Sequence, residues 1–581
     1  MLPGVIFEDD DLLVVNKPPG VNTHAPTPYG TEGLYEWLRN REPRWATLAI
    51  IHRLDKETSG VIVFSKTQRA NRSLTEQFTK RAIRKKYLFL TDREASEKDF
   101  TIRSCLVRAG ERYVNRPLHA GGDVAETRFR VIGDIHKEAR EKIQHPTSNI
   151  QRRSKIQDPS AARSSENWTL ETEASLEVGC WSLEVRVAST ALVAEPLTGR
   201  THQIRVHAAE KGLAILGDTL YGGTQAARVY LHAAELRFKH PATGREMTLQ
   251  AQVDFGEDPR LLMRQMFIEP EFTDAVRLIH GASDRWPGWY VERLGAFFLS
   301  QSDEALNARQ QSELVRIVKH FSGRGTYHKT LQRHVRRTKP ADAAPRLALG
   351  EPAPERFAVR ENGLRFELSL REGYSVGLFL DQRDNRRRLL TGYIAPAFFP
   401  IFLSSASIPE VLNAFAYTCA FSVCAAKAGA RTTSLDLSKK YLDWGKRNFT
   451  LNHLDANQHE FIYGDAFDWL RRLEKKHRQF DLILLDPPTF SQSKASGAFR
   501  AEKDYAKLVA ASLPLLKRSG VLFASTNAAA WPAEEFLDCV ETTIRAASRK
   551  IVQRHYASQS PDFPACRAEP AYLKTVWLRI E

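Results

Sequence analysis

The sequence predicts a multidomain protein: an α+β domain on a mixed sheet, a small α+β central domain, and an α/β domain with a doubly wound sheet. Three observations carry this. The chain has 581 residues, well beyond the roughly 250–300 at which one core stops growing. Its first part is dominated by short β-branched runs separated by turns. Its last part alternates buried-strand runs with helical stretches, the pattern of a parallel sheet that binds ligands at its strand C-termini.

A hydrophobic content of 42% with 26% charged residues argues against wholesale disorder. The formal charge of +15 and a pI near 9.4 favour a polyanionic partner, because each Lys or Arg set against a phosphate releases condensed counterions. RNA, DNA or anionic lipid would satisfy that, and the same charge also serves solubility. The six cysteines (Cys105, Cys180, Cys419, Cys424, Cys539, Cys566) include no C-x-x-C pair. Neither a disulfide framework nor a zinc site is therefore expected, and a reducing cytoplasm fits. The start lacks a basic segment followed by an apolar one, so no secretory signal is expected. The most apolar run, Ile394–Leu403, is too short and too broken by proline to span a bilayer, so no membrane anchor is expected.

In order along the chain, residues 1–257 form the strand-dominated domain, with runs such as Leu12–Val15, Val61–Phe64 and Leu183–Val187. Inside it, a stretch at about 134–167 is polar, aperiodic and of mixed charge, and reads as a surface insertion. Residues 258–370 form a linker and the central domain, with strand-like Tyr290–Arg293 and Phe297–Ser300, a helix over Gln310–His320 and a Pro/Ala-rich loop over Thr338–Glu355. Residues 371–581 form the doubly wound domain, whose strand runs are Val411–Phe415, Thr432–Asp436, Glu460–Asp465, Phe480–Asp486 and Gly520–Ser525.

The segment Ile51-His-Arg-Leu-Asp-Lys-Glu-Thr-Ser-Gly60 sets one carboxylate, Asp55, among basic residues just before a strand. Around it, in order, stand Val14-Val-Asn-Lys-Pro-Pro-Gly20, Lys85-Lys-Tyr87, Ala125-Glu-Thr127, Thr198-Gly-Arg-Thr-His-Gln-Ile-Arg-Val-His207 and Gly217-Asp-x-x-Tyr-Gly-Gly223. This series resembles the RluA family of pseudouridine synthases over roughly the first 255 residues. The resemblance implies that Asp55 is catalytic and that no cofactor is needed. Isomerisation breaks the bond from ribose C1′ to uracil N1, turns the base and rejoins C1′ to C5. A carboxylate can serve as nucleophile at C1′ or as base at C2′. The resemblance further implies that Tyr87 stacks on the uracil, that Arg205 pairs with Asp55 and keeps it ionised, and that Arg53 fills the gap left by the flipped uridine. No upstream S4 RNA-binding module, such as some family members carry, is expected ahead of the catalytic motifs.

In the last domain, Val411-Leu-Asn-Ala-Phe-Ala-Tyr-Thr-Cys-Ala-Phe-Ser422 reads as strand, tight loop and helix start, and Asp436, Asp465 and Asp486 close the next three strands. An acid at the second strand end suits ribose hydroxyls. With Gly377-Leu-Phe-Leu-Asp-Gln-Arg-Asp-Asn-Arg386, these sites resemble the RlmI and RlmK group of class I, Rossmann-like methyltransferases of ribosomal RNA. The likeness begins near Phe272 and runs to Pro570-Ala-Tyr-Leu-Lys574. It implies S-adenosylmethionine as the cofactor, with Asn413, Phe415, Tyr417, Asp436, Asp465 and Asp486 lining its pocket and Gln382 at the entrance. Two departures stand out. Ala524-Ser-Thr-Asn-Ala528 lacks the cysteine nucleophile of members that make 5-methylcytosine, which favours a purine nitrogen such as guanine N7, and Cys419 stands where related loops carry glycine. An apolar insert near Ala395–Ile408 has no counterpart in the pattern.

The clusters Arg84–Lys86, Arg333–Lys339 and Arg383–Arg388 would suit phosphate contacts along an RNA, although each alone is more often a solvated face. The expectation is thus a bifunctional RNA-modifying enzyme acting on ribosomal RNA, without metal. The alternatives are an RNA-binding ribosome-assembly factor with a silent catalytic half, or a DNA or protein methyltransferase fused to an RNA enzyme.

Overall fold

The computed structural model describes residues 2–134, 190–253, 255–331, 344–372, 375–398, 400–402, 407–493 and 497–581. The polar insertion beyond Asp134, the run Leu183–Val187 and the cluster Arg333–Lys339 lie outside the described residues. The chain divides into two compact units: residues 1–56, 63–74 and 260–581 form the first, and 57–62 with 75–259 the second.

The second unit holds a mixed sheet. Strand Leu231–Lys239 pairs in parallel with residues 59 and 60, while its other neighbours, Arg84–Thr91 and Glu246–Gln250, are antiparallel. Thr190–Pro196, Asp123–Asp134, Asp99–Ala109 and Arg112–Arg116 continue the sheet antiparallel. Helix Gln203–Glu210 buries Ile204 and Ala208 against Phe89, Phe129, Leu192 and Ala194 on one sheet face. Gly60 allows the parallel pairing. Its φ is +116°, and a Cβ there would run into the Ala233 backbone.

In the first unit, five strands follow the order Glu460–Tyr463, Arg431–Asp436, Glu410–Ala414, Phe480–Leu485 and Leu516–Thr526, all parallel. Lys574–Ile580 and Ile551–Ser558 extend this sheet antiparallel. The expected doubly wound sheet is therefore present, and each apolar run read from the sequence coincides with one of its strands. Its order reverses on either side of Glu410–Ala414, which opens a crevice at the strand C-termini.

The central domain is a five-stranded sheet, Ala275–His280, Trp289–Leu294, Phe297–Ser302, Gly325–Thr330 and Arg346–Gly350. Helix Ala308–His320 makes the crossover between its two parallel strands. The helix starts two residues before the expected Gln310, because Asn307 and Gln310 form a reciprocal capping box. The expected loop Thr338–Glu355 contains strand Arg346–Gly350. It lies at the sheet edge and pairs on one side only, so it lacks the apolar alternation that marks a buried strand. A hairpin, Phe357–Glu361 and Leu364–Leu368, turns at Asn362-Gly363, both with positive φ, as a two-residue type I′ turn requires.

The described part of the apolar insert packs inward. Ile394, Ala395, Phe398 and Ile401 are buried in the same core as Phe421, Phe523 and Trp577. Arg579 donates to the Pro400 carbonyl at 2.8 Å and stacks over Phe398. Among the described residues, no helix is long and apolar enough to cross a membrane, and no His, Cys, Asp and Glu cluster is placed to hold a metal ion.

Candidate active sites

Asp55 and Arg53 sit on the loop that joins the short strand Ala49–Ile50 to Ser59–Ser65, with Asp55 half-buried and Arg53 exposed. Backbone contacts fix this loop. Thr23 Oγ1 accepts from the Leu54 amide at 3.2 Å and donates to the Leu54 carbonyl at 2.8 Å. The Lys56 carbonyl accepts from the Gly20 amide at 2.9 Å and from Lys17 Nζ at 3.2 Å. Lys17 is fully buried, and its ammonium also donates to the carbonyls of Pro18 and Val21. The Asn-Lys-Pro-Pro-Gly motif therefore buttresses the Asp55 loop. Lys17 belongs to that motif, but no residue pattern reveals its hydrogen bonds to these backbone carbonyls.

Tyr87 and Arg205 belong to the second unit. Tyr87 is half-buried on strand Arg84–Thr91 and packs against the cluster of Phe89 and Phe129. Arg205 is buried, and its Nε and Nη2 each reach Asp218 at 2.7 Å, with the guanidinium 5.1 Å from the Tyr221 ring centre. Asp218 was visible only as part of a motif, and its role as the bidentate partner of Arg205 emerges from the fold. The rest of the Thr198–His207 motif is equally tied. Gln203 donates to the Glu126 carbonyl and Thr127 Oγ1, both at 2.9 Å. His207 bridges Ser104 and Thr127, and burial pulls its imidazole down to about 4, so it stays neutral. Burial also lowers the Lys85 ammonium, to about 8.

At the crevice of the doubly wound sheet, the loop after Glu410–Ala414 places Phe415, Tyr417 and Cys419 in left-handed conformations, with φ of 65°, 49° and 62°. Each non-glycine residue held this way costs on the order of 1 kcal/mol or more. The turn is held by Asp436, whose carboxylate accepts from the amides of Tyr417 and Ser438, both at 2.8 Å. Burial raises the Asp436 carboxyl, and these two amides oppose the rise. Asn413 is buried and donates to Ser422 Oγ at 2.9 Å, which also accepts from Ser434 Oγ at 2.8 Å. Phe415 faces the Phe499 ring at 6.0 Å, and Tyr417 packs edge-on against Tyr441.

Cys419 is wholly buried. Its thiol occupies the space left by Gly445 in the facing helix Lys439–Leu451, and a Cβ at 445 would run into Cys419 Sγ and Cβ. Burial pushes this thiol up to about 12, so it is a packing group rather than a nucleophile. The two residues trade volume. Gly445→Ala is expected to lower stability by about 1–3 kcal/mol, and the same change in a Cys419→Gly background to be far milder. A double-mutant cycle of urea midpoints checks this.

Asp486 follows strand Phe480–Leu485, and Gln382 Nε2 contacts its Oδ1 at 3.2 Å and Oδ2 at 3.3 Å, as well as Ser525 Oγ at 2.8 Å. Burial lifts the Asp486 carboxyl to about 6. Tyr505 ties the two strand ends together, with its single hydroxyl proton shared between the carbonyls of Leu485 and Ser525 and its oxygen accepting from the Ser525 amide. The fold thus brings Gln382 onto Asp486, and Asp436 onto the backbone of Tyr417. Gln382, expected at a pocket entrance, is buried with 3% exposure. Asp465 caps helix Ala466–Lys475, accepting from the Asp468 amide at 3.2 Å.

The phosphate-contact reading of Arg383–Arg388 is corrected. Arg383 pairs with Asp562 at 2.6 Å, Arg386 with Glu361 at 2.6 Å, Arg387 with Glu42 at 2.6 Å and Arg388 with Glu32 at 3.3 Å. These guanidiniums are neutralised inside the fold, because their carboxylate partners come from distant parts of the sequence.

Comparison with known proteins finds two families along the chain. Residues 11–210 match the family described as RNA pseudouridylate synthase, and residues 277–579, more than half of the chain, match the S-adenosylmethionine-dependent methyltransferase family. A ribosomal RNA large subunit methyltransferase of Deinococcus radiodurans is 34% identical over 319 residues, covering 53% of this chain and 73% of that protein. Ribosomal RNA large subunit methyltransferase I of Yersinia pseudotuberculosis is 30% identical, covering 55% and 77%. A solved methyltransferase structure from Streptococcus mutans aligns at 26% identity with a TM-score of 0.46, covering 59% of this chain and 87% of that one. The chain therefore belongs to the S-adenosylmethionine-dependent methyltransferase family, among the ribosomal RNA large subunit methyltransferases, and carries an RNA pseudouridylate synthase domain ahead of that catalytic domain.

Proposed function

We propose that the protein modifies ribosomal RNA in the cytoplasm twice, converting uridine to pseudouridine at Asp55 and methylating a purine nitrogen, guanine N7, in the crevice of the doubly wound sheet. Asp55 acts on the sugar while the C1′–N1 bond breaks and the C1′–C5 bond forms. Tyr87 stacks on the flipped uracil, Arg205 belongs to the same catalytic set, and Arg53 enters the vacated stack.

For methyl transfer, the observation that carries the reading is the end of strand Leu516–Thr526. Ser525 is held by Gln382 and Tyr505, and the Thr526 hydroxyl accepts from the Ala528 amide, so this strand end offers no thiol to attack a pyrimidine carbon. Methylation of guanine N7 would need neither a covalent enzyme adduct nor removal of a proton, because that nitrogen carries a free lone pair. The residues then mainly orient. Asn413, Phe415, Tyr417, Asp436, Asp465 and Asp486 line the cofactor pocket, and bound S-adenosylmethionine supplies the methyl group. The left-handed Phe415–Cys419 loop suits such a ligand, because it turns the backbone toward the strand C-termini beside the Asp436 carboxylate. Asp486 and the Pro-Pro-Thr-Phe that follows it present the base, with Gln382 holding Asp486.

Mass-spectrometric mapping of ribosomal RNA treated with the protein and cofactor is the test. Pseudouridine and 7-methylguanosine are expected, and 5-methylcytidine would overturn the purine assignment. Asp436→Ala is expected to weaken S-adenosylmethionine binding by about 10- to 100-fold, since a hydrogen bond to a charged group is worth about 1.5–3 kcal/mol. Calorimetric titration reads this directly.

A further inference from the structure

Within the first unit, a line of hydrogen bonds runs from Asp486 to the segment that matches the pseudouridylate synthase family. Gln382 turns its Nε2 toward Asp486 and Ser525, while its Oε1 accepts from Asn385 Nδ2 at 2.7 Å. Asn385 Oδ1 in turn accepts from Arg388 Nη1 at 3.2 Å and from the indole N–H of Trp577 at 3.3 Å. Arg388 Nη2 rests on Glu32 Oε1 at 3.3 Å, and that oxygen also accepts from Asn40 Nδ2 at 2.8 Å. Gln382, Asn385 and Arg388 are buried, and Glu32 and Asn40 lie within residues 11–210.

The direction of this line is physically fixed. A guanidinium and an indole N–H can only donate, so Asn385 must turn its oxygen toward them and its nitrogen toward Gln382. Gln382 must then offer its oxygen to Asn385, and its nitrogen to the Asp486 carboxylate. The same helix, Arg383–Thr391, is gripped elsewhere by that segment. Asp384 accepts from Trp37 Nε1 at 3.2 Å, Arg387 donates to the Arg41 carbonyl at 2.7 Å, and Tyr393 beyond the helix donates to the Arg39 carbonyl at 2.8 Å.

We infer that Glu32, through Arg388 and Asn385, is a positioning residue for methyl transfer, so that a residue of the pseudouridylate synthase segment sets the amide orientation at Asp486. This rests on Asp486 presenting the methyl acceptor, as proposed above. Glu32 supplies the acceptor that anchors Arg388. Without it the guanidinium is free to leave Asn385, and the Gln382 amide loses the constraint that aims its N–H groups at Asp486. An inverted Gln382 would set its oxygen against the carboxylate.

The experiment compares full-length Glu32→Ala, Glu32→Gln and Asn385→Asp for methyl-transfer kcat and KM, S-adenosylmethionine affinity and pseudouridine formation. Glu32→Ala is expected to lower methyl-transfer kcat about tenfold, with cofactor affinity and pseudouridine formation within twofold of the parent. Glu32→Gln keeps an acceptor oxygen and restores kcat. Asn385→Asp removes the donor to Gln382 and lowers kcat at least as much as Glu32→Ala. Parental kcat in both Glu32→Ala and Asn385→Asp would overturn the inference, as would a loss in Glu32→Gln equal to that in Glu32→Ala. If Glu32→Ala fails to fold, shown by loss of pseudouridine formation as well, the Glu32→Gln and Asn385→Asp pair decides by the same kcat criterion. Asp486→Asn run alongside separates the two claims: if it leaves methyl transfer intact, the reading of the site fails, whatever the other variants do.

Discussion

Asp55→Asn is expected to abolish pseudouridine formation, by roughly 10³-fold or more, while methyl transfer proceeds at the parental rate. The substitution keeps every heavy-atom position and removes only the charge and basicity that sugar chemistry requires. A positioned acid–base group alone contributes about 10²–10⁴-fold, and a carboxylate that acts as nucleophile contributes further. The fold is expected to survive, because the loop is shaped by contacts to the backbone of its neighbours. Thr23 grips Leu54, and Lys17 and Gly20 grip the Lys56 carbonyl. Release of tritium from RNA labelled at uracil C5 measures the reaction, since forming the C1′–C5 bond expels that hydrogen. Parental release from the Asn variant would remove Asp55 from the mechanism. By the same logic Lys17→Met should damage pseudouridine formation through the shape of the loop. It leaves several carbonyls facing a buried side chain that donates nothing.

What was legible in the sequence follows from how far each signal reaches along the chain. The five parallel strands were legible because each carries a short run rich in apolar or β-branched residues, and three of them have an acid, Asp436, Asp465 or Asp486, at the strand end or within two residues of it. The glycines of the Ser59-Gly60 and Gly217–Gly223 motifs were legible as motifs, but their cause was not. A Cβ at 217 would strike the Arg228 carbonyl, and one at 223 the Ile215 carbonyl. Pairings over long separations were hidden. Arg383–Arg388 looked like a phosphate-binding run because composition shows the cations and not Asp562, Glu32, Glu42 or Glu361. Cys419 looked awkward because Gly445, which makes room for it, carries no signal of its own inside a helix. The edge strand Arg346–Gly350 was missed for the opposite reason: with one side unpaired and its residues largely exposed, it has little need for an apolar pattern.

The correction at the arginine cluster leads to the second large effect. Arg386→Met is expected to destabilise the protein by about 3–5 kcal/mol, the usual cost of removing one partner of a buried ion pair. Arg386 and Glu361 are among the most deeply buried charges, with side-chain exposures of 2% and 1%, and they meet through two parallel bonds of 2.6 and 2.7 Å. Nearby carboxylates, Glu361 foremost, outweigh the cost of burial and hold the guanidinium above its ordinary pKa. With Arg386 gone, the Glu361 carboxylate would lose both of these hydrogen bonds inside the core, and a buried charge stripped of its direct partner is what makes the single substitution costly. The double variant Arg386→Met with Glu361→Leu removes both charges and keeps most of the volume, so it should recover much of the loss. The urea midpoint separates these outcomes: a parental midpoint for Arg386→Met would show that the pair contributes nothing, and a double variant as weak as the single would show that volume, not charge, is at issue. Arg386 Nη2 also donates to the Phe379 carbonyl at 2.7 Å, at the start of the turn Leu380–Gln382. The single variant should therefore lose methyl transfer at urea concentrations where pseudouridine formation persists, because the turn it releases is the one that brings Gln382 to Asp486.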